Sequence, residues 1–378
     1  MAGIYIHIPF CKQACHYCDF HFSTSLKKKE GLLLALQKEI KLRASESDGK
    51  KVGTIYFGGG TPSLLSKDEI SDLLACVYSS FKVIDDPEIT LEANPDDLDS
   101  SKIKQLAVAG VNRLSIGIQS FFEEDLILMN RAHKAEQSHL CLQQAKEYFD
   151  NISIDLIYGI PDLSSERWTK NLEIALTYKL PHISSYALTV EPRTALKAYI
   201  DKGIIPEVDE GITQEQFHIL MDVLEKDGYV HYEISNFGKP GYFSLNNTAY
   251  WQGKSYIGIG PSAHSFDGKK RSWNIRNNSK YLNALNNGEL PMEAETLSKR
   301  DRYNEYVMTG LRTVWGISLR DLRKNFGPDF ERYLLEQAQS YLDDKLLIME
   351  GDTLRSGKKG KFLIDGIASH LFMLNLEK

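Results

Sequence analysis

The segment IHIPFCKQACHYCDFHF (6–22) places three cysteines within eight positions, directly after a short apolar strand pattern. Cys11, Cys15 and Cys18 follow the spacing C-x3-C-x2-C. Thiolates favour iron–sulfur clusters, zinc and copper, and a 4Fe–4S cluster normally takes four cysteines, one for each iron. Three cysteines would therefore leave one iron open to a small chelating molecule.

Zinc is the alternative that the cysteine spacing leaves open. A structural zinc ion takes four ligands, and His7, His16 or His21 can join the three cysteines. His16 and His21 are otherwise expected to be hydrated loop residues. The two remaining cysteines, Cys76 and Cys141, lie in helical patterns, where we expect them to be small buried side chains.

The composition is that of a globular protein with two or three domains: 378 residues, 42% of them hydrophobic and 25% charged. A net charge of −6 provides no large basic surface, so we expect no nucleic-acid partner. No apolar run approaches the ~20 residues that span a bilayer, which leaves only peripheral membrane association. The N-terminus lacks an export pattern and cysteines are few, so we expect a cytoplasmic protein.

The first half of the chain repeats a short apolar strand, a turn and a helix. The six strand patterns are GIYIHI (3–8), VGTIYF (52–57), EITLEA (88–93), RLSIGIQ (113–119), NISIDLIYG (151–159) and HISSYALTV (182–190). Such alternation predicts parallel strands joined by helical crossovers.

The positions of the polar residues decide between a curled barrel and an open doubly wound sheet. They cluster where strands end, at the cysteines, Gly58 to Thr61, Glu92, Gln119 and Asp155. In a (β/α) barrel these ends converge on one face. We therefore predict an α/β fold with a six-stranded (β/α)6 partial TIM-like barrel over residues 1–195; an open sheet is the alternative.

The pattern changes after residue 195. Short extended pieces broken by Gly and Pro predict a barrel extension over residues 196–295, on the side of the ligand. The remaining segment, 296–378, predicts a smaller, mainly helical C-terminal domain.

The cysteine spacing resembles that of the radical S-adenosylmethionine (SAM) enzymes. The resemblance implies a 4Fe–4S cluster held by Cys11, Cys15 and Cys18, with the amino and carboxylate groups of SAM on the fourth iron. It also implies that an electron from the reduced cluster splits the sulfonium and releases a 5′-deoxyadenosyl radical. The cofactors carry this chemistry and the protein positions them.

Further motifs are similar, in order, to those of the family of oxygen-independent coproporphyrinogen III oxidases and HemW haem chaperones. They are YIHIPFC (5–11), GGGTPS (58–63), LEANP (91–95), LSIGIQS (114–120), NRAH (130–133), DLIYGIP (155–161), YEISNF (232–237), YWQGKSYIGIGPSAHSF (250–266) and GIASHLF (366–372). The SAM contacts that this resemblance implies are Tyr5, Tyr17, Gly59, Gly60, Thr61, Glu92, Gln119, Arg131, Asp155 and Ala187.

Charge supports part of this set. Asp155 interrupts an apolar strand, where an unpaired carboxylate is costly to bury. Arg131 can present a planar guanidinium to the SAM carboxylate. An Arg131–Asp155 or Arg131–Glu92 ion pair without a ligand is the alternative.

Within the family, two activities are implied: haem binding with delivery to an acceptor protein, or oxidative decarboxylation of a porphyrinogen with electrons from a reductant. The oxidases carry a further cysteine two residues after the third, where this chain has Phe20, and a long segment before the cysteines, whereas Cys11 is nearly terminal here. Both features favour the haem carriers. These carriers usually have a histidine where this chain has Asn246, so we consider Tyr250, His231 and His264 as haem ligands.

Overall fold

The computed structural model describes residues 1–47 and 49–374. It contains one large sheet of twelve strands and a small sheet of three. Six neighbouring strands of the large sheet are parallel and follow one another in chain order. These strands are β1 (Ala2–Ile8), β2 (Val52–Gly59), β3 (Val83–Ala93), β4 (Arg113–Gln119), β5 (Ile152–Tyr158) and β6 (His182–Ala187).

The parallel strands are buried and apolar, as expected for a sheet covered by helical crossovers. In β1, Ile4, Ile6 and Ile8 are fully buried, and Ile4 pairs with Ile55 of β2. The crossover helices are α1 (Lys29–Leu42), α2 (Lys67–Ser80), α3 (Ser100–Val108), α4 (Glu123–Leu128), α5 (Ala135–Ala145) and α6 (Ser165–Thr177). Each helical connection returns the chain to the end of the sheet where the preceding strand began, so all six strands run in one direction.

The start of α2 shows how local sequence sets a boundary. Ser66 accepts a hydrogen bond from the backbone of Glu69, and the Glu69 carboxylate accepts one from the backbone of Ser66. This reciprocal pair satisfies two of the amides that a helix start leaves without partners.

The large sheet has twelve strands rather than six, because the segment after residue 195 adds six strands to the six predicted parallel ones. β9 pairs in parallel with β1 and continues into three antiparallel strands, while β8 and β7 extend the other side beyond β6. The added strands are β7 (Val230–Glu233), β8 (Asn236–Gly238), β9 (Tyr256–Ile259), β10 (His264–Phe266), β11 (Lys270–Asn274) and β12 (Met292–Thr296). These strands are too short to show a hydrophobic periodicity in the sequence. They form because the edges of the parallel sheet offer unpaired backbone groups to which they can hydrogen-bond.

Four helices accompany these added strands. They are α7 (Ala195–Asp201), α8 (Glu210–Lys226), α9 (Leu245–Trp251) and α10 (Asn278–Asn286). Short 3-10 helices occupy Leu26–Lys28, Ala44–Ser47, Pro62–Leu64, Pro95–Asp97 and Lys361–Leu363.

The C-terminal segment is mostly helical, as predicted, and has a hydrophobic core of its own around Tyr303, Leu322 and Leu354. Its elements are α11 (Lys299–Leu311), β13 (Ile317–Ser318), α12 (Leu319–Phe326), α13 (Pro328–Asp343), β14 (Leu347–Glu350), β15 (Thr353–Ser356) and α14 (Ile364–His370). The end of the predicted domain, residues 375–378, lies outside the described residues. None of the described helices is both long enough and apolar enough to cross a membrane.

Candidate functional site

The cysteine loop leaves the carboxyl end of β1 and is closed by backbone hydrogen bonds. The amide of Cys11 donates to the Ser23 carbonyl (3.1 Å), and the amide of Ser23 donates to the Pro9 carbonyl (2.9 Å). The turn after β2 supports the loop, because the amide of Thr61 donates to the Phe10 carbonyl (2.7 Å). The three thiols of the loop are half-buried on this frame.

Burial disfavours the thiolate form of two of these cysteines. It raises the pKa of Cys11 to about 11, although a hydrogen bond from Thr61 opposes the shift. Burial also raises the pKa of Cys18. Metal binding requires thiolates, so a bound cationic centre has to stabilise the charge that this environment disfavours.

The zinc alternative does not fit the loop. Among residues 1–47 and 49–374, no group of three or more His, Cys, Asp or Glu side chains is arranged to hold a single metal ion. The three candidate histidines bind elsewhere: His7 Nε2 to the His21 carbonyl (2.9 Å), His16 Nδ1 to the Leu128 carbonyl (2.9 Å), and His21 Nε2 to Asn278 Oδ1 (2.7 Å). A 4Fe–4S cluster fits better, since each thiolate binds a different iron and the thiols need not converge on one point.

Arg131 is half-buried beside the cysteines. Its Nη1 atom lies 3.3 Å from Cys15 Sγ, and its Nη2 atom donates to Asn94 Oδ1 (2.7 Å) and to the Gly117 carbonyl (3.0 Å). Among the described residues, nothing accepts a hydrogen bond from its buried Nε atom. A guanidinium with an unused donor suits a carboxylate-bearing ligand.

The glycines after β2 allow the backbone to approach closely. A Cβ atom on Gly60 would lie 2.6 Å from the Phe10 carbonyl oxygen, and Gly59 has a φ of +108° with the His7 ring against it. Only glycine is accommodated without displacement at these two positions. The third residue, Thr61, is buried, and its hydroxyl accepts a hydrogen bond from the Asn94 side chain (3.3 Å).

Glu92 lies at the end of β3 and faces these glycines. Its carboxylate accepts hydrogen bonds from the Tyr56 hydroxyl (2.8 Å) and from the Gly59 amide (3.1 Å). Burial raises the pKa of Glu92 to about 7, and the bond from Tyr56 only partly offsets this. Tyr5 stacks on Tyr56 with ring centroids 6.0 Å apart, so an aromatic wall flanks the carboxylate.

Asp155, in β5, is a second carboxylate without a close cation. Its oxygens lie 3.4 and 3.5 Å from Ser115 Oγ, and burial raises its pKa to about 6, against the influence of Arg113. No ion pair joins Arg131 to Glu92 or to Asp155 among the described residues. The alternative, in which such an ion pair forms without a ligand, is therefore wrong. Two half-buried carboxylates without an ion-pair partner fit a ligand that brings positive charge.

The other three predicted residues are less closely grouped. Gln119 ends β4 in the left-handed region (φ 64°), and both its amide and Arg131 lie beside Gly117. Tyr17 packs against the core, and burial raises its pKa, opposed by Arg131. Ala187 ends β6 and lines a separate cavity of about 260 Å³.

A larger cavity of about 750 Å³ begins at Tyr5, Gly59 and Glu92. It extends to the segment 246–276. The residues there that line it are Asn246, Asn247, Ala249, Tyr250, Lys254, Ser255, Tyr256, Ser262, Ala263, His264, Arg271 and Arg276. This volume lies in the range of small-molecule sites.

Two of the three proposed haem ligands line the cavity, and the third does not. Tyr250 and His264 line it and are exposed. His231 is buried away from it, with Nε2 at the Ile234 carbonyl (3.0 Å) and Nδ1 at Lys361 Nζ (2.9 Å), so it is not available as a ligand.

Sequence reasoning missed Tyr56, Asn94 and Ser115. The sequence could have indicated Tyr56 and Asn94, because residues two apart along a strand share a face and each lies two positions from a predicted site residue. Tyr56 precedes Gly58 by two positions, and Asn94 follows Glu92 by two. Ser115 faces Asp155 through strand pairing, which no local pattern reveals.

Comparison with known proteins gives the relationships of this chain. It matches the model of the Radical SAM superfamily over residues 5–175 and that of the HemN C-terminal domain over residues 297–363. "Heme chaperone HemW" of Mycobacterium tuberculosis is 32% identical over 375 residues, which cover 98% of this chain and 94% of the relative. "Heme chaperone HemW" of Lactococcus lactis is 34% identical, with 96% and 97% covered.

A solved structure agrees with this relationship at the level of the fold. Coproporphyrinogen III oxidase (HemN) from Escherichia coli matches with a TM-score of 0.86 and 24% identity, covering 98% of this chain and 90% of that one. Radical SAM proteins use a 4Fe–4S cluster and SAM as cofactors, and the thiols, the guanidinium and the two carboxylates described above fit both. The chain therefore belongs to the HemW family of the radical SAM superfamily.

Proposed function

We propose that this protein binds haem in the 750 Å³ cavity and delivers it to acceptor proteins, with the cluster and SAM bound beside it. The observation that carries the proposal is the continuity of the cavity. It joins the carboxylate Glu92 and the glycines of β2 to Tyr250 and His264, whose side chains can ligate iron.

The cofactor site is assigned by residue chemistry. Cys11, Cys15 and Cys18 each bind one iron of the 4Fe–4S cluster. When bound, the cluster and SAM supply one-electron and radical chemistry. The remaining residues hold SAM at the open iron.

Each group in the SAM site has a distinct role. The Arg131 guanidinium binds the SAM carboxylate through its free Nε. Glu92 and Asp155 would accept hydrogen bonds from the amino group or the ribose hydroxyls. Gly59, Gly60 and Thr61 let the backbone approach the amino group. Tyr5, Tyr17, Gln119 and Ala187 enclose the nucleoside.

We also propose that the parallel strands curve into a partial barrel. In a flat sheet, β1 and β6 would be five strand spacings apart, about 24 Å. Tyr186 of β6 nevertheless lines the same cavity as Tyr5 of β1 and Glu92 of β3. Curvature of the six strands explains how one cavity reaches both β1 and β6.

The iron ligand is Tyr250 or His264. Asn246, one helical turn before Tyr250, hydrogen-bonds through Oδ1 to Thr54 Oγ1 (3.2 Å) and has no imidazole to offer. Tyrosine and histidine are both established axial ligands of haem.

Titration of haemin into the anaerobically prepared protein tests haem binding. A saturable shift of the Soret band is expected, and Tyr250→Phe or His264→Ala is expected to change its position. Tyr148→Phe is the matched control, because Tyr148 is exposed after α5 and does not line the cavity. A spectrum that stays the sum of free haemin and protein would refute the proposal.

The same cavity favours an alternative function, oxygen-independent coproporphyrinogen III oxidase, because a porphyrinogen there would lie beside SAM. Anaerobic incubation with coproporphyrinogen III, SAM and a reductant separates the two. We expect no protoporphyrinogen IX; its appearance would establish the oxidase instead.

We further propose three functional segments: a radical SAM core (1–195), a haem-side extension (196–295) and a C-terminal domain (296–378). The protein acts in the cytoplasm, where a haem-accepting protein and a reductant are its partners. Pull-down of the haem-loaded protein against a haem-free bacterial haemoprotein tests the acceptor step, since transfer would move the Soret signal to that protein.

A further inference from the structure

The charged side chains that line the large cavity are two carboxylates and three cations. Glu92 comes from β3 and Asp19 from the cysteine loop, whereas Lys254, Arg271 and Arg276 come from the segment 246–276. Tyr5, Tyr56, Tyr250 and Tyr256 also line the cavity. This combination of aromatic and cationic side chains suits a flat, largely apolar ligand with acidic groups at its edge.

The three cations differ in how much of their charge is already compensated. Arg271 is held by two glutamates, with Nε 3.1 Å from Glu295 Oε1 and Nη1 3.0 Å from Glu305 Oε1. Its charge is therefore used within the fold. A ligand that bound it would compete with two resident carboxylates.

Lys254 and Arg276 are largely uncompensated. Lys254 is exposed, and its ammonium forms no hydrogen bond or ion pair with any described residue. Arg276 is about half exposed; it donates to the Asp19 carbonyl, and its nearest carboxylate oxygen, Asp19 Oδ1, is 4.0 Å away. Both cations face a cavity and lack a strong internal partner.

We propose that Lys254 and Arg276 recognise the carboxylates of the ligand, so that the cavity selects a tetrapyrrole with free propionates. This inference rests on the proposed haem function and names the propionates as the part of haem that the protein recognises. Arg276 can bind one carboxylate through its planar guanidinium, and Lys254 acts as a point charge on the other. The iron ligand and the carboxylate contacts are then separate determinants.

The test compares haemin with haemin dimethyl ester, in which both propionates are blocked. Dissociation constants are measured by Soret titration of the full-length, cluster-loaded protein in one buffer with the same low detergent concentration. We expect the wild type to bind haemin about tenfold more tightly than the ester. Lys254→Gln and Arg276→Gln should each reduce this preference about threefold, because exposed ion pairs are individually weak.

Three variants and a salt series make the result interpretable. The double variant should bind both ligands equally well, and raising the salt concentration should weaken the wild-type preference. Arg332→Gln is the control, since Arg332 is exposed on α13 and pairs only with Asp329. Lys254→Gln keeps the test valid if Arg276→Gln disturbs the cysteine loop through Asp19.

The outcomes separate this inference from the function beneath it. Equal wild-type affinity for haemin and its ester would overturn carboxylate recognition while leaving haem binding intact. A preference that survives in the double variant would do the same. Failure of both ligands to bind would overturn both proposals.

Discussion

The side chains of Arg131 and Cys15 are in contact although 116 residues separate them, with Nη1 of the arginine 3.3 Å from Sγ of the cysteine. The contact brings the loop after β1 against the turn after α4. It places one guanidinium next to both the proposed cluster and the proposed SAM carboxylate. The same side chain is thus positioned to bind the ligand at the open iron.

Replacing Arg131 by glutamine is expected to weaken SAM binding by about tenfold to a hundredfold, the range for losing a charge-assisted hydrogen bond. Anaerobic calorimetry of the cluster-loaded protein measures it. Arg332→Gln should leave the affinity unchanged. Unaltered SAM affinity in Arg131→Gln, with a full cluster, would exclude the assigned role.

Cys15→Ser should lose the 4Fe–4S cluster, because a serine hydroxyl is a poor substitute for a thiolate on iron. Iron and sulfide analysis after anaerobic reconstitution, together with the brown absorbance, measures this loss. Cys76→Ala is the control, since Cys76 lies on α2 in the hydrophobic core and its thiol donates a hydrogen bond to the Gln37 carbonyl (3.4 Å). Wild-type iron content in Cys15→Ser would contradict the ligand assignment.

Glu92 makes the stability of the SAM-free protein depend on pH. Its folded-state pKa is raised to about 7 from an unfolded value of about 4.3, so its stabilising contribution is complete below about pH 4 and is lost as the pH rises through 7. Between pH 5 and 8, the wild type should lose about 2 kcal/mol more unfolding free energy than Glu92→Gln.

Urea unfolding at the two pH values measures this difference. Asp155, whose pKa is also raised, contributes with the same sign in both proteins, so the difference reports Glu92 together with its repulsion from Asp155. Glu147→Gln, at an exposed position after α5, should follow the wild type. Parallel pH profiles for wild type and Glu92→Gln would mean that the Glu92 carboxyl is not destabilised by burial.

Arg43→Met is expected to destabilise the fold by about 3–5 kcal/mol, because it leaves a buried carboxylate without its cation. Glu39 is fully buried and accepts hydrogen bonds from Arg43 Nη1 (3.1 Å), the Gly260 amide (2.8 Å) and Asn274 Nδ2 (2.7 Å). Thermal and urea unfolding measure the loss. Lys41→Met, at an exposed position of the same helix, should change stability by less than about 0.5 kcal/mol.

The parallel half of the fold was predictable because its strands are long, apolar and separated by helices of ordinary length. The six added strands were not. β8 and β10 have three residues each, and nothing in so short a stretch distinguishes a strand from a loop. Their pairing depends on the edges that β1 and β6 present, which exist only after the parallel sheet has formed.

The candidate site divides in the same way. Cys11, Cys15 and Cys18 are close in sequence, so their spacing indicates a metal-binding loop, and the resemblance to the radical SAM enzymes indicates a 4Fe–4S cluster rather than zinc. His231 appeared equivalent to His264 in the sequence, yet its ring is stacked on Phe237, with centroids 4.0 Å apart, and faces no cavity. Burial separates these two histidines, and burial is a property of distant neighbours.

The sequence by itself determined the cluster loop, the glycine turn and the order of the parallel strands, because each depends on residues that are neighbours along the chain. Tertiary structure alone decided that Arg131 contacts Cys15, that Glu92 and Asp155 stay without a cation, and that one cavity connects Glu92 to Tyr250 and His264. These features arise where segments more than a hundred residues apart exclude water together. Desolvation and charge at such a place depend on all the segments at once, and no single segment encodes them.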